Sequence, residues 1–250
     1  MHLLDEATVF EWLPDLDKRV WTGLPRPVVR ADYIRTRLVH LHGGIWLDSD
    51  LVALRPLREI FAWLDERETV GWGREFNDFK VNLFASRAGS AFLGEWIAGQ
   101  DALLQKSADC NALRWRELGS DIALPLAQTH RTGWIPSSRI APVYWPAWRI
   151  FLSRFATPER VLADLPITVM LFNAVMGPAL RGLSREELLR SHMLVSRLLR
   201  IALGITTLDH ELDSYTRFHV LADVRHGSFP RLAWKVLSRT RGITSARRKS

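Results

Sequence analysis

The stretch 30–50, RADYIRTRLVHLHGGIWLDSD, admits few local structures. Ala31, Ile34, Leu38 and Leu41 recur at three- and four-residue steps, the period of one helical face. Gly43 supplies the left-handed residue that stops such a helix, and Ile45-Trp46-Leu47 then reads as a buried strand running into Asp48 and Asp50. In an extended chain, side chains alternate. Trp46, Asp48 and Asp50 then share one face while Ile45 and Leu47 pack into the core. Carboxylates leaving the carboxyl end of a buried strand sit where open α/β sheets bind ligands. Two so close together need a cation to offset their repulsion, and the hard cations Mg²⁺ or Mn²⁺, which also bind phosphate oxygens, suit carboxylate ligands.

On the helix, Asp32 and Arg35 are three residues apart and therefore neighbours. Val39 and His42 continue the same side, away from the apolar stripe. As a surface ion pair the two charges would contribute well under about 1 kcal/mol. Beside a metal they form a polar clamp for a ligand's hydroxyls.

Bulk properties bound the rest. At 250 residues, 47% hydrophobic and 24% charged, the chain has the make-up of an ordinary globular protein with room for one large domain. Its one cysteine, Cys110, excludes an internal disulfide framework and a cysteine zinc cage, and a reducing cytosol is the expected home. Cys110 itself reads as a small, partly buried hydrophobe. The N-terminal MHLLDEATVFEWLPDLDKRV carries acids early and does not read as a signal peptide. The longest uncharged run, residues 165–180, falls short of the roughly 20 residues a membrane span needs, so it is expected to be core.

The net charge of +7 is carried mostly by arginine, and the last residues, RTRGITSARRKS, form a basic tail. Such a tail is either frayed and solvated or holds a protein to anionic lipid at about 1 kcal/mol per basic residue. That would place the protein peripherally on the inner face of the cell membrane. No RNA-binding aromatic signature or helix-turn-helix pattern accompanies the charge, so nucleic acid is not an expected partner. Most of the eleven tryptophans should fill core, though a flat ring also offers a face on which a sugar can stack.

Along the chain, residues 5–13 are expected to form a short helix capped by Asp5, and 57–67 (LREIFAWLDER) another. TVGWG and VNLFAS read as strands, and SAFLGEWIAGQDALLQ as an amphipathic helix. Residues 129–151, rich in Trp and Pro, read as long loops with edge strands. Helix returns at SREELLRSHMLVSRLLRIAL, with Ser184 and Glu187 as a capping box. Strands alternating with helices predict an α/β core. No repeat or linker divides the chain, so residues 1–235 are expected to be one domain and 236–250 a flexible basic tail.

ADYIRTRLVHLHGGIWLDSD resembles the phrase (A/S)-D-x-x-R-x-x-x-L-x-x-x-G-G-x-(Y/W)-x-D-x-D. That phrase is shared by the D-x-D sugar transferases: capsular-polysaccharide and mannosyl-type enzymes, α1,4-galactosyl and N-acetylglucosaminyl transferases, and glucosylating bacterial toxins. The order, the sixteen-residue step from Asp32 to Asp48 and the double glycine all match, which is far more specific than the triplet alone.

The resemblance implies a type A nucleotide-diphosphosugar transferase fold, a Rossmann-like mixed sheet flanked by helices. It also implies metal-dependent transfer, with retention of configuration, from a UDP- or GDP-sugar to a saccharide or lipid-linked acceptor. Carried across, Asp32 and Arg35 contact the donor's sugar and ribose, Asp48 touches ribose or sugar hydroxyls, and Asp50 binds Mn²⁺ or Mg²⁺, with Asp48 beside it. NDFKVNLFAS resembles the next family segment, making Asn82 a donor-site candidate and Asn77 the spare. LGSDIALPLA resembles a later Gly-centred segment near the acceptor, nominating Gly119 and Asp121; Asp121 also reads as a helix cap. Trp46 lies near the site by spacing, and Trp134, Trp145 and Trp148 are candidates for an acceptor platform.

Two departures stand out. Family members carry a first strand that helps bind the nucleotide base, whereas this chain begins at what resembles the following segment. A misplaced start, a fragment or an incomplete nucleotide pocket are the alternatives. Where many members have a late metal-binding histidine, the nearest match here, MLFN, has Met170, a poor ligand for a hard cation. His130 and His192 are the substitutes in sight.

Two other functions compete. DSDLV also matches the triplet of haloacid-dehalogenase-like phosphatases, which need a downstream lysine (Lys80 or Lys106 here) and a paired acidic motif that does not follow. The other alternative is a truncated, inactive transferase-like scaffold.

Overall fold

The computed structural model describes residues 2–73, 78–107, 110–162 and 164–205. Asn77 and the tail 236–250 lie outside the described residues. Three helices open the chain: α1 (Val9–Trp12), α2 (Lys18–Gly23) and α3 (Pro27–His42). The first is shorter than expected. Asp5 closes a turn ahead of it, its Oδ1 accepting from the N–H groups of Ala7 and Thr8. Pro27, at the first position of α3, has the fixed φ that suits a helix start.

α3 ends at two glycines that must both be glycine. Gly43 has φ +66° and Gly44 φ +107°, and a Cβ on Gly43 would lie 3.0 Å from the backbone N of Ala88. β1 (Gly44–Leu47) follows, and a tight turn leads into β2 (Leu51–Ala53). After a 3₁₀ segment at Leu57–Leu64 come β3 (Thr69–Gly73) and β4 (Lys80–Ser86). Then follow α4 (Ala91–Lys106), α5 (Ser120–Thr129), β5 (Gly133–Pro136) and α6 (Ser137–Ile140).

Four strands form one mixed sheet in the order β1-β4-β3-β5. β1 and β3 run antiparallel to β4, and β5 is parallel to β3. Trp46 pairs with Phe84 and Leu47 with Leu83. The β3–β4 register slips between Val70 and Trp72, where Gly71 leaves room for the Phe79 ring; a Cβ there would come within 2.3 Å of it. Helices α3, α4 and α5 pack over an aromatic layer of Phe79, Phe84, Phe92 and Trp96. Phe84 and Phe92 have ring centroids 5.5 and 5.8 Å from Trp96, spacings at which aromatic pairs attract. A second apolar cluster joins α1, α2 and α3 to Leu113 and Leu118.

The described residues divide into two compact units, the first comprising residues up to Leu51 with Pro56–Ile140, the second Val52–Arg55 with the described residues from Ala141 on. The second unit pairs β2 with β6 (Thr168–Met170) and adds α7 (Pro158–Val161), α8 (Asn173–Leu180), α9 (Arg185–Arg190) and α10 (Leu194–Ala202). Its own core holds Phe151, Val169, Met176, Leu194 and Leu198. The run 165–180, expected to be core, is so only in part: Ile167, Val169, Phe172 and Met176 are buried, whereas Leu165, Asn173, Ala174 and Pro178 are exposed. The capping box at Ser184 and Glu187 forms, each side chain meeting the other's backbone N–H. The architecture is thus α/β, with a mixed sheet flanked by helices. No helix among the described residues is long and apolar enough to cross a membrane.

Candidate functional site

The first unit brings Asp32, Arg35, Trp46 and Asp48 together. Asp32 and Arg35 share one side of α3, one turn apart, and β1 leaves α3 through the Gly43–Gly44 reversal, so Asp48 returns alongside them. Arg35 Nη2 lies 3.2 Å from Asp32 Oδ1 and 3.3 Å from Asp48 Oδ1. Its other nitrogens are used as well: Nη1 donates to the Val81 carbonyl at 2.7 Å and Nε to the Ala31 carbonyl at 3.2 Å. The guanidinium carbon sits 5.3 Å from the Trp46 ring centre, within cation–π range. Trp46 Nε1 donates to Asp48 Oδ1 at 2.6 Å.

Asp32 is 3% exposed and Arg35 2%, whereas the Asp48 side chain is 31% exposed. Of the two readings of the pair at 32 and 35, a surface ion pair does not hold: both side chains are buried, and Asp48 is the member that meets solvent. A buried charge with all its hydrogen-bonding atoms engaged is held far more firmly than a surface pair. Burial pushes the Asp32 carboxyl up to about 6, with Arg35 pulling it down and the Asp48 charge pushing it further up. Both contacts to the Asp48 carboxylate fall on Oδ1, so Oδ2 is the oxygen available to a ligand.

The extended geometry expected for the aspartate pair does not hold. The strand ends at Leu47, and Ser49 and Asp50 form a turn closed by the Leu51 N–H donating to the Asp48 carbonyl at 3.1 Å. Asp50 is half-buried at the end of that turn rather than two pleats along a strand. Ile45 and Leu47 are only half-buried too. The β1 residue that packs against both apolar clusters of this unit is Trp46.

The remaining expected residues take other positions. Asn82 is buried in β4; its side-chain oxygen accepts from Trp72 Nε1 at 3.1 Å, and its backbone carbonyl accepts the Asp48 N–H at 2.8 Å. It thus fixes where Asp48 leaves the strand. Asp121 stands in the first turn of α5, where a carboxylate suits the helix dipole. It pairs with Arg116 at 3.2 Å, and Arg114 lies 4.0 Å away. Gly119 abuts the site: a Cβ there would come within 3.0 Å of Asp32 Oδ2.

Trp134 is half-buried and packs against the aromatic core, edge-on to Phe79 at 5.8 Å. Trp145 and Trp148 lie in the second unit, Trp145 edge-on to Phe172 and Trp148 against the core. His130 is 3.3 Å from Glu95 and edge-on to Phe92, and His192 and Met170 belong to the second unit. Lys80, one lysine the phosphatase alternative would need, is paired with Asp78 at 2.8 Å.

Sequence reading missed Gln100. It is fully buried in α4, and its Nε2 donates to the carbonyls of Asp32 and Leu118, both at 2.8 Å. Its Oε1 accepts from Thr36 Oγ1 at 2.9 Å and Arg37 Nη1 at 2.8 Å. It ties α3, α4 and the approach to Gly119 together beneath the site. A glutamine on an amphipathic helix gives no sequence signal of that role.

Among the described residues no three His, Cys, Asp or Glu side chains form an all-protein metal cage. Mg²⁺ and Mn²⁺ take oxygen ligands, often one or two carboxylates completed by water and phosphate oxygens, and Asp48 and Asp50 are carboxylates of that chemical class at the end of β1. A scan of protein-family models, a search of curated proteins and a search of solved structures each find no match to this chain.

Proposed function

We propose that the protein is a metal-dependent retaining glycosyltransferase, moving a sugar from a UDP- or GDP-sugar to a hydroxyl of a polysaccharide, glycolipid or other acceptor. The observation that carries this reading is the convergence of Asp32, Arg35, Trp46 and Asp48 on one partly exposed carboxylate, Asp48, a turn away from a second at Asp50. It joins the likeness of residues 31–50 to the transferase phrase, and the α/β sheet is the kind of scaffold that phrase implies. Working at the inner face of the cell membrane belongs to the same proposal.

In this reading each residue has a task that its surroundings allow. Arg35, buried and fully bonded, orients the Asp48 carboxylate by pairing with its Oδ1. Trp46 fixes the same oxygen with its N–H, so Asp48 Oδ2 is left to accept from a sugar or ribose hydroxyl. Asp32 balances Arg35 from behind and acts through it. Asn82 sets the backbone from which Asp48 departs, and the 48–51 turn puts Asp50 two residues beyond it, where it would serve the diphosphate. Asp50 and Asp48 would hold Mn²⁺ or Mg²⁺, which neutralises the leaving diphosphate when bound. Retention without a dedicated nucleophile fits same-face attack, the departing phosphate oxygen taking the acceptor hydroxyl's proton.

Calorimetric titration of the full chain with UDP and GDP in the presence of Mn²⁺ tests the reading. Binding of one nucleotide is expected, with its metal dependence lost in Asp50→Ala while the circular dichroism spectrum stays that of the wild type. Silence with both nucleotides overturns it and favours the inactive scaffold.

A further inference from the structure

Between α4 and α5 the chain makes a turn, Leu113–Gly119, that is fastened more heavily than a surface connection needs. At its start Arg26 Nη2 donates to the Leu113 carbonyl. At its end the Leu118 carbonyl accepts from two buried donors, Trp96 Nε1 at 2.9 Å and Gln100 Nε2 at 2.8 Å. Leu113 and Leu118 are both buried in the cluster beneath α3. In between, Glu117 takes the Arg114 side chain and backbone N–H at 2.7 Å each, and Asp121 takes Arg116. The last residue, Gly119, rests on the Asp32 carboxylate.

On this fastened turn Trp115 is 67% exposed, more than any other tryptophan among the described residues, and its ring lies outside every apolar cluster described above. An indole of this size left in water forgoes the burial that would otherwise stabilise the fold. A loose loop would let it fold back, whereas this turn holds it out. Trp115 and Gly119 are four steps apart along the chain, so the ring's backbone lies at most about 14 Å from the residue touching Asp32. The bonds from the Glu117 N–H to the Arg114 carbonyl and from the Gly119 N–H to the Arg116 carbonyl make that span shorter still.

The residues on either side of Trp115 bear on what it fits. Arg114 pairs with Glu117 and Arg116 with Asp121 of α5, so both arginines flanking the tryptophan are neutralised by carboxylates rather than left open to anionic lipid or a phosphate backbone. An exposed flat apolar face, with paired hydrogen-bonding side chains next to it in sequence, complements a neutral sugar ring, which presents a C–H face edged with hydroxyls.

We propose that Trp115 is the stacking platform of a saccharide subsite, held at a fixed distance from the Asp32–Arg35–Asp48 cluster by the pinned 113–119 turn. The subsite takes a neutral sugar of the acceptor. It rests on the transferase reading for the word acceptor, and on the turn alone for the sugar.

The test uses the full chain labelled with 5-fluorotryptophan, the Trp115 and Trp46 fluorine signals being assigned from Trp115→Phe and Trp46→Phe. Methyl α-mannoside, methyl β-galactoside and N-acetylglucosamine are titrated separately, then UDP and GDP with Mn²⁺. A saturable shift of the Trp115 signal with one of the sugars is expected. Trp115→Ala should weaken that sugar's binding roughly tenfold, and Trp115→Phe should retain most of it. No shift of Trp115 with any of the three sugars overturns the proposal. A Trp46 signal that moves with nucleotide while Trp115 stays silent with sugar sinks the subsite and leaves the transferase reading standing. Movement of Trp115 with sugar and silence at Trp46 with nucleotide does the reverse.

Discussion

Burial holds the Asp32 carboxyl at about 6 against its ordinary 3.8. The native state therefore keeps a proton that the unfolded chain has already released. The contribution of this carboxyl to stability is fullest below about pH 4, falls as pH rises toward about 6, and is level above that, its total loss being on the order of 3 kcal/mol. Asp32→Asn removes the titrating group. The stability of the wild type minus that of the variant, from urea unfolding at a series of pH values, should drop by that amount across the window and then stay flat. A difference that is flat throughout would mean that the carboxyl is solvated. Gly119 faces the same carboxylate with no room for a methyl group. Gly119→Ala should cost about 1–3 kcal/mol by overpacking, measurable as a lower urea midpoint, because Asp32 is fixed by Arg35 and cannot swing aside.

At the level of elements, Leu118 hangs from two helical side chains, Trp96 and Gln100, one turn apart on α4. Removing either donor leaves the carbonyl one partner, so Trp96→Phe and Gln100→Leu should each carry only the cost of their own lost bonds and packing. Removing both orphans a buried carbonyl. The double variant should lose about 1–3 kcal/mol more than the sum of the singles, since the penalty falls on the unpaired acceptor. Additive values from urea unfolding would show that water replaces the lost donors.

The same scale shows what the sequence discloses. The α3–Gly–Gly–β1 passage, β3, β4, α4 and the Ser184 capping box were legible because each rests on local rules: period, positive φ and capping chemistry. Long-range contacts were not legible. Residues 57–64 are 3₁₀ rather than α-helix. The helical run from 185 breaks at Ser191–Met193, where the Leu194 N–H donates to the Ser153 carbonyl and Arg200 takes the Leu189 and Ser191 carbonyls. In the site, the Asp32–Arg35 spacing and Asp48 were readable from pattern. The turn at Asp50 overrode strand alternation, and Gln100, Arg26 and Trp115 gain their meaning only from partners distant in sequence.

Across the whole molecule, the four clustered side chains belong to the first unit, while the second unit has a core of its own around Leu198, which is fully buried. Separate cores imply separate stabilities, because a cavity is felt by the atoms that line it. Leu198→Ala should weaken the second unit by about 3 kcal/mol. Fluorine signals of 5-fluorotryptophan at Trp145 and Trp148, which pack on that unit's aromatic and aliphatic core, report its unfolding. Signals at Trp46 and Trp96 report the first unit. In the variant the Trp145 and Trp148 transitions in urea should move to lower denaturant while those of Trp46 and Trp96 keep their wild-type midpoints. The native Trp46 shift should also be unchanged, since Arg35 and Asp48 hold that ring. Coincident transitions of all four probes, displaced together, would mean that the two cores melt as one cooperative body. The division into independently stabilised units would then be wrong.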